Sequence, residues 1–276
     1  MRYQYTSKGY LNSLKKNSLT GVHQLMIINI SLFICMLFSD TINRIFMDYF
    51  ALSPFDVCSN FHIWQCLTYA FLHSTQTLWH IIFNMIGLWF LGPDLEKMWG
   101  KKNFLKYYFV VAIGSGFITA IYMFNYMPGV YTIGASGAIY GLLVAYAVLF
   151  PNRIIYIYGI LPLKVRTAAI IFGAISLYYS ININNDSNIS HIAHLAGMVM
   201  SFLYLYYLIY WMKKKQKMRI IKTRKHQSTH VNQIRENNIN KILDKMNDEG
   251  WESLTDEEKQ YLQKESQNSH FDQNPN

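Results

Sequence analysis

Apolar residues along this chain come in long blocks, not in alternation with polar ones. Six stretches, about 22–39, 77–95, 104–124, 134–150, 166–184 and 190–211, are apolar for close to the length that crosses a bilayer core. A helix needs about 20 such residues for that, with 17–25 tolerated. The fourth stretch is short, running from Gly134 to Pro151, where proline stops a regular helix. The blocks predict an all-α polytopic membrane protein, a six-transmembrane-helix bundle over residues 22–212. The first block starts near Val22, is long enough to span, and lacks the small-residue cleavage site of a removable leader.

The polar gaps orient these spans. Residues 1–21 carry Arg2, Lys8, Lys15 and Lys16. The gap after span two carries Lys97, Lys101 and Lys102, and the gap after span four Arg153, Lys164 and Arg166. By contrast, the gap after span one has only Arg44, and those after spans three and five have neither Lys nor Arg. Basic gaps favour the cytoplasmic side. Six spans with cytoplasmic N- and C-termini satisfy every gap, whereas five or seven would leave a basic gap on the wrong side.

The first outer segment, about 40–76, is long and holds Phe61, Trp64 and Phe71. Aromatic side chains favour the membrane interface, so this predicts a structured, partly embedded loop. Beyond residue 212 the chain turns polar. Residues 213–236 read as a basic juxtamembrane segment followed by a polar linker over 226–236. Residues 237–276 read as a small cytoplasmic helical hairpin, with a first helix over Ile239, Ile242, Leu243 and Met246 and a stop at Gly250. A capping box at Thr255–Glu258 opens the second helix, and Trp251, Leu254 and Leu262 are the expected seam. This hairpin reads as an accessory element or as a docking element for a cytosolic partner.

Charge adds little beyond topology. The net charge is +9, but eight of the 25 basic residues lie in Lys213–Lys225, directly after the last span. A cluster there anchors the chain at an anionic membrane face and gives no reason to invoke nucleic acid. Cys35, Cys58 and Cys66 have no metal or redox spacing.

Ionisable and polar groups inside a bilayer are costly and tend to mark function. In spans two to six the notable ones are His80 and Asn84 in span two, Ser136 in span four, and His191 and His194 in span six. Each of these spans enters from outside, so all sit roughly 5–12 Å below the outer surface at 1.5 Å per residue. A serine hydroxyl needs a base to become a nucleophile, and imidazole is the usual one near neutral pH. His80 and Asn84, four residues apart, share a helix face and can both donate to an oxyanion. Ser136 at a helix start adds unpaired backbone N–H groups. No carboxylate accompanies the histidine within the spans, and Asp186 is given no role. The expectation is a Ser136–His194 dyad without a cofactor or a bound metal. Gly137 with Gly141, and Ala193 with Gly197, let helix backbones approach closely. Tyr140, one turn below Ser136, is placed to pack on the imidazole.

His80-Ile-Ile-Phe-Asn84, Gly134-Ala-Ser-Gly137 and Ala193-His-Leu-Ala-Gly197 resemble the three hallmark segments of the rhomboid intramembrane proteases, in order and on matching spans. Trp64, then Leu91-Gly92 and Glu96, extend the likeness, which covers about residues 20–212. The tail resembles a small extension of some bacterial rhomboids. The resemblance implies a rhomboid-like bundle with span four at its centre and a water-filled cavity open to the outside. It implies cleavage of the transmembrane segments of other proteins, with Ser136 as nucleophile, His194 as base, and His80, Asn84 and the Ser136 N–H as oxyanion donors. Gly134, Gly137, Gly197 and Tyr140 would support them, and a bacterial plasma membrane would be the location. Two departures stand out: Gln65 follows the loop tryptophan where many members have arginine, and the spacing from His73 to His80 is longer than is common.

Other readings of the same residues exist. Each polar residue, taken alone, serves packing or capping as readily as chemistry, and His191 fits an interfacial structural role. His80, His191 and His194 form a conceivable zinc set, but without a carboxylate, a thiolate or an H-E-x-x-H pattern. A non-catalytic rhomboid-like protein would bind or escort transmembrane segments. A transporter would call for interrupted helices in paired halves, which the pattern lacks.

Overall fold

The computed structural model describes residues 19–157, 160–181 and 188–272. Among them, helix α1 is Gly21–Phe38, α2 Asp40–Phe50, α3 Pro54–Ser59 and α4 Gln65–Thr68, which runs on into a 3-10 turn, Tyr69–Phe71. Then come α5 Leu78–Trp99, α6 Lys101–Tyr126 and α7 Ser136–Leu149. An antiparallel hairpin follows, β1 Ile154–Ile157 and β2 Leu161–Lys164, with Ile154 opposite Lys164. Helices α8 Val165–Ile181, α9 Asn188–Glu249 and α10 Asp256–Asp272 complete the order. The chain divides into two compact units, Met1–Leu208 and Ile209–Asn276.

Among the described residues, four stretches are long and apolar enough to cross a membrane: Gly21–Phe38, Leu78–Trp99, Lys101–Tyr126 and His191–Gln216. Helices α7 and α8 are also apolar but shorter. At 1.5 Å per residue α7 is about 21 Å long, less than the roughly 30 Å hydrocarbon core. It is correspondingly central. Gly137, Ala138, Ile139, Gly141, Leu142, Leu143, Ala145 and Tyr146 are all buried, against α5, α6 and α8. Around this centre the outward side chains stay apolar: Ile30, Trp89, Phe117, Ile170 and Phe202 are all exposed. Water would penalise such a surface and lipid would not.

Helix ends follow local chemistry. Thr20 caps α1 by accepting from the His23 N–H. The Glu96 carboxylate, from the last turn of α5, accepts from the backbone N–H groups of Gly21 at 2.6 Å and Val22 at 2.9 Å. It thereby satisfies two of the orphan donors of α1 and places a negative charge at its positive end. Gly100 breaks α5 from α6 at φ 77°, a conformation that costs glycine little.

Residues 40–76 are ordered by hydrogen bonds to backbone. Trp64 Nε1 donates to Tyr49 O at 2.9 Å and Thr68 Oγ1 to Phe50 O at 2.8 Å. Gln65, the departure from arginine, is fully buried. Its Oε1 accepts from the Ser53 N–H at 3.0 Å, and its Nε2 reaches Tyr49 O at 3.4 Å. Leu52 pairs with Thr132 as an isolated bridge, tying this segment to the approach of α7.

Three expectations need correction. The polar linker expected over 226–236 is helical and part of α9, because that stretch contains no Pro or Gly to end a helix. The first unit also holds more interior polar groups than expected: Ser115, Thr119, Ser176 and Ser201 are fully buried. Small hydroxyls between helices pass as packing residues in a hydropathy profile. In the second unit, Gly250 stops α9 at φ 84°. Thr255 Oγ1 accepts from the Glu258 N–H while Glu258 Oε2 accepts from the Thr255 N–H at 2.9 Å, the expected capping box. Leu254 is buried and Leu262 half-buried, but Trp251 is 46% exposed and lies under the Lys259 ammonium instead of in the seam.

Candidate active site

Ser136 is the first residue of α7. Just before it, Gly134 takes φ +117°, a conformation that strains any L side chain, and a Cβ there would lie 2.6 Å from His80 Nε2. Glycine at this position both turns the chain and leaves room for the imidazole. His194 lies in the second turn of α9.

The two helices meet through their glycines. A methyl group on Gly197 would overlap the Gly137 carbonyl, and one on Gly141 would lie 3.2 Å from Gly197 O. Helix α6 fastens both. Ser115 Oγ donates to Ala193 O, beside His194, at 2.8 Å. Tyr107 Oη and Ser201 Oγ lie 2.8 and 2.9 Å from Gly141 O and also contact each other. These three hydroxyls, absent from the candidate set read off the sequence, brace the helices that carry Ser136 and His194. The one sequence signal was Ser115 between Gly114 and Gly116, a small polar residue within a close-packing pair.

The result is direct contact: Ser136 Oγ lies 2.8 Å from His194 Nε2. The imidazole stacks on Tyr140, ring centroids 4.0 Å apart and planes 8° from parallel. His194 Nδ1 is buried and finds no partner among the described residues. Among the described residues, stacking on Tyr140 is the contact that orients the ring there. Asp186 lies outside the described residues. His191 stacks on Tyr179 at 4.8 Å and meets His194 edge-on at 5.6 Å, consistent with its expected structural place.

His80 and Asn84 face the same space. His80 Nδ1 accepts from the Ser74 N–H at 3.2 Å, so a neutral ring carries its hydrogen on Nε2, the atom beside Gly134. Asn84 Nδ2 donates to His80 O at 2.6 Å, leaving one amide hydrogen over. Behind them His73 is fully buried, its ring 5.1 Å from His80. Burial, reinforced by the neighbouring imidazole, pushes His73 down to about 3, so it stays neutral next to His80. Ser136, His194, His80, Asn84 and Tyr140 line one cavity of about 740 Å³, whose apolar wall includes Trp79, Phe83 and Ile139. Among the described residues no group of three His, Cys, Asp or Glu side chains is placed to hold a metal ion.

A hydroxyl in hydrogen-bond reach of an imidazole, with N–H donors across a pocket, is an arrangement able to carry acyl transfer. Set in a bundle with lipid-compatible walls, it defines a multi-pass helical membrane protein with a Ser–His pair at a largely apolar cavity. A sequence model of the Rhomboid domain matches residues 60–211, more than half of the chain, and the chain belongs to the rhomboid family. A second model, a family of unknown function named DUF6576, matches residues 227–268. The "Putative rhomboid protease YdcA" of Bacillus subtilis (strain 168) is 36% identical over 124 residues, 44% of this chain and 58% of that protein. The rhomboid protease GlpG of Yersinia pestis (strain Pestoides F) is 29% identical over 139 residues, 50% of this chain and 46% of that protein. The chain thus spans about half the length of these relatives.

Proposed function

We propose that this chain is an intramembrane serine endopeptidase that cleaves transmembrane segments of other membrane proteins. The observation that carries the reading is the 2.8 Å contact between Ser136 Oγ and His194 Nε2, made across two helices at a cavity that His80 and Asn84 also line. In the proposed reaction Ser136 Oγ attacks the scissile carbonyl carbon as its proton passes to His194 Nε2. Negative charge collects on the carbonyl oxygen, opposite His80 Nε2–H, the spare Asn84 amide hydrogen and the Ser136 N–H. His194 then protonates the leaving amine nitrogen and the C–N bond breaks. Water, deprotonated by the same imidazole, releases the acyl group from Ser136. Tyr140 holds the ring through both proton transfers, and Gly134, Gly137 and Gly197 supply the backbone room.

The accompanying topology has six spans, with α7 and α8 as the two short ones, and cytoplasmic termini in a bacterial plasma membrane. Substrate helices must unwind to expose a peptide bond to Ser136, so helix-breaking residues near the cut site speed cleavage. The 237–276 hairpin offers a surface for a cytosolic partner.

A fluorophosphonate probe and a panel of single-span reporters test this. Wild type is expected to be labelled and to cleave. Ser136→Ala loses both while its thermal unfolding is unchanged, and His194→Ala loses cleavage. Equal labelling of Ser136→Ala, or reporter capture without cleavage by wild type, overturns the proposal in favour of a protein that binds transmembrane segments without cutting them.

A further inference from the structure

Away from the dyad, a second cavity of about 510 Å³ opens between α7 and α8. Small residues open it: Ala147 on α7, and Ala169 and Gly173 on α8, with Met198 of α9 as its floor. A methyl group on Gly173 would already sit 3.2 Å from Met198 Cε, so any larger side chain there begins to fill the groove. Ile170, 63% exposed, continues the apolar wall outward. One charged group lines it, Arg166, at the end where β2 enters α8.

The two arginines flanking the hairpin differ. Arg153 pairs with Asp94 at 2.9 Å. Arg166 has no carboxylate partner among the described residues and is exposed. Beside it the hairpin presents Ile154, Tyr156 and Ile160 outward together with exposed Lys164. Apolar and aromatic tips next to cations suit the headgroup level of a bilayer. An apolar groove that ends in an unpaired guanidinium at that level matches a ligand with a hydrocarbon chain and a phosphate. Guanidinium grips phosphate oxygens in a forked, charge-assisted manner.

We propose that this groove seats one anionic glycerophospholipid, an acyl chain lying over Gly173 and Met198 and its phosphate on Arg166. The site rests on neither the proteolytic reading nor the sidedness of the membrane.

The test uses the full chain in detergent and native mass spectrometry, with equimolar dioleoyl phosphatidylglycerol and dioleoyl phosphatidylcholine. One basic residue near an anionic headgroup contributes about fivefold in binding. Wild type is therefore expected to retain about five times more phosphatidylglycerol. Arg166→Gln brings the two lipids to parity, and Gly173→Leu lowers retention of both, with circular dichroism reporting that each variant stays helical. If Gly173→Leu fails to fold, exposed Arg166 alone decides. Three results overturn the proposal: equal retention by wild type, an unchanged preference in Arg166→Gln, or a preference lost only in a Lys213, Lys214 and Lys215→Gln triple variant. Displacement of the phosphatidylglycerol by inorganic phosphate would assign Arg166 to a free anion and equally overturn a lipid site.

Discussion

The two units of this chain are held together in different ways. In Met1–Leu208 the decisive contacts join residues far apart in sequence: Gly137 with Gly197, Ser115 with Ala193, Tyr107 and Ser201 with Gly141. Most are side chain on backbone or backbone on backbone, at a separation that only glycine permits. In Ile209–Asn276 the interactions join partly exposed side chains nearer in sequence. Lys245 pairs with Glu258 at 3.0 Å, Arg235 with Glu265, and Thr255 and Glu258 cap α10 reciprocally. The first arrangement fixes positions to fractions of an ångström, which a proton transfer between helices requires. The second fixes only that two helices form and meet. Placement of the dyad is therefore expected to be brittle and the tail forgiving.

The largest expected effect is at Gly197. In Gly197→Leu the new Cβ meets the Gly137 carbonyl, which no rotamer change relieves. Overpacking of this kind costs about 1–3 kcal/mol and more where backbone must move. Labelling by a serine-directed probe is expected to vanish and the thermal midpoint to fall. A variant that keeps both would break the link between close backbone approach and the site.

A smaller effect is expected at the shared acceptor. Tyr107→Phe and Ser201→Ala each remove a hydroxyl from Gly141 O, a loss of about 1 kcal/mol per hydrogen bond. Because the hydroxyls touch one another, the double variant is expected to lose less than the sum. Strict additivity in thermal unfolding would show two independent contacts instead of one node.

The smallest effect belongs to the tail. The Thr255 N–H and the Lys245 ammonium hold the Glu258 carboxyl below its usual range. The folded group thus binds its proton less readily than the unfolded one. Its contribution is present above the ordinary carboxylate value and disappears as pH falls through the lowered one. Glu258→Ala is expected to speed amide exchange in the first turn of α10 and to abolish the acid dependence of that exchange, while the unfolding of the first unit does not move. A shift in the first unit would erase the contrast between the two.

Much of this was legible in the sequence because it rests on local rules. Long apolar blocks announced the helices, Gly250 and Thr255–Glu258 announced the tail's turn and cap, and the polar residues at one depth announced Ser136, His194, His80 and Asn84 as neighbours. What escaped was set by partners. Ser115 and Ser201 look like small packing residues until the carbonyls they reach, at Ala193 and Gly141, are known. The 226–236 stretch is polar enough to pass for a linker, but nothing in it breaks a helix. Trp251 was assigned to a seam by its bulk, yet the ring sits under Lys259.

Gln65 has a consequence for where the loop over residues 40–76 can operate. Its fastenings to Ser53 and Tyr49 join uncharged amides, the first of them buried. Such a clasp does not titrate and draws no counter-ions, so acid or brine that would loosen an ionic latch leaves it shut.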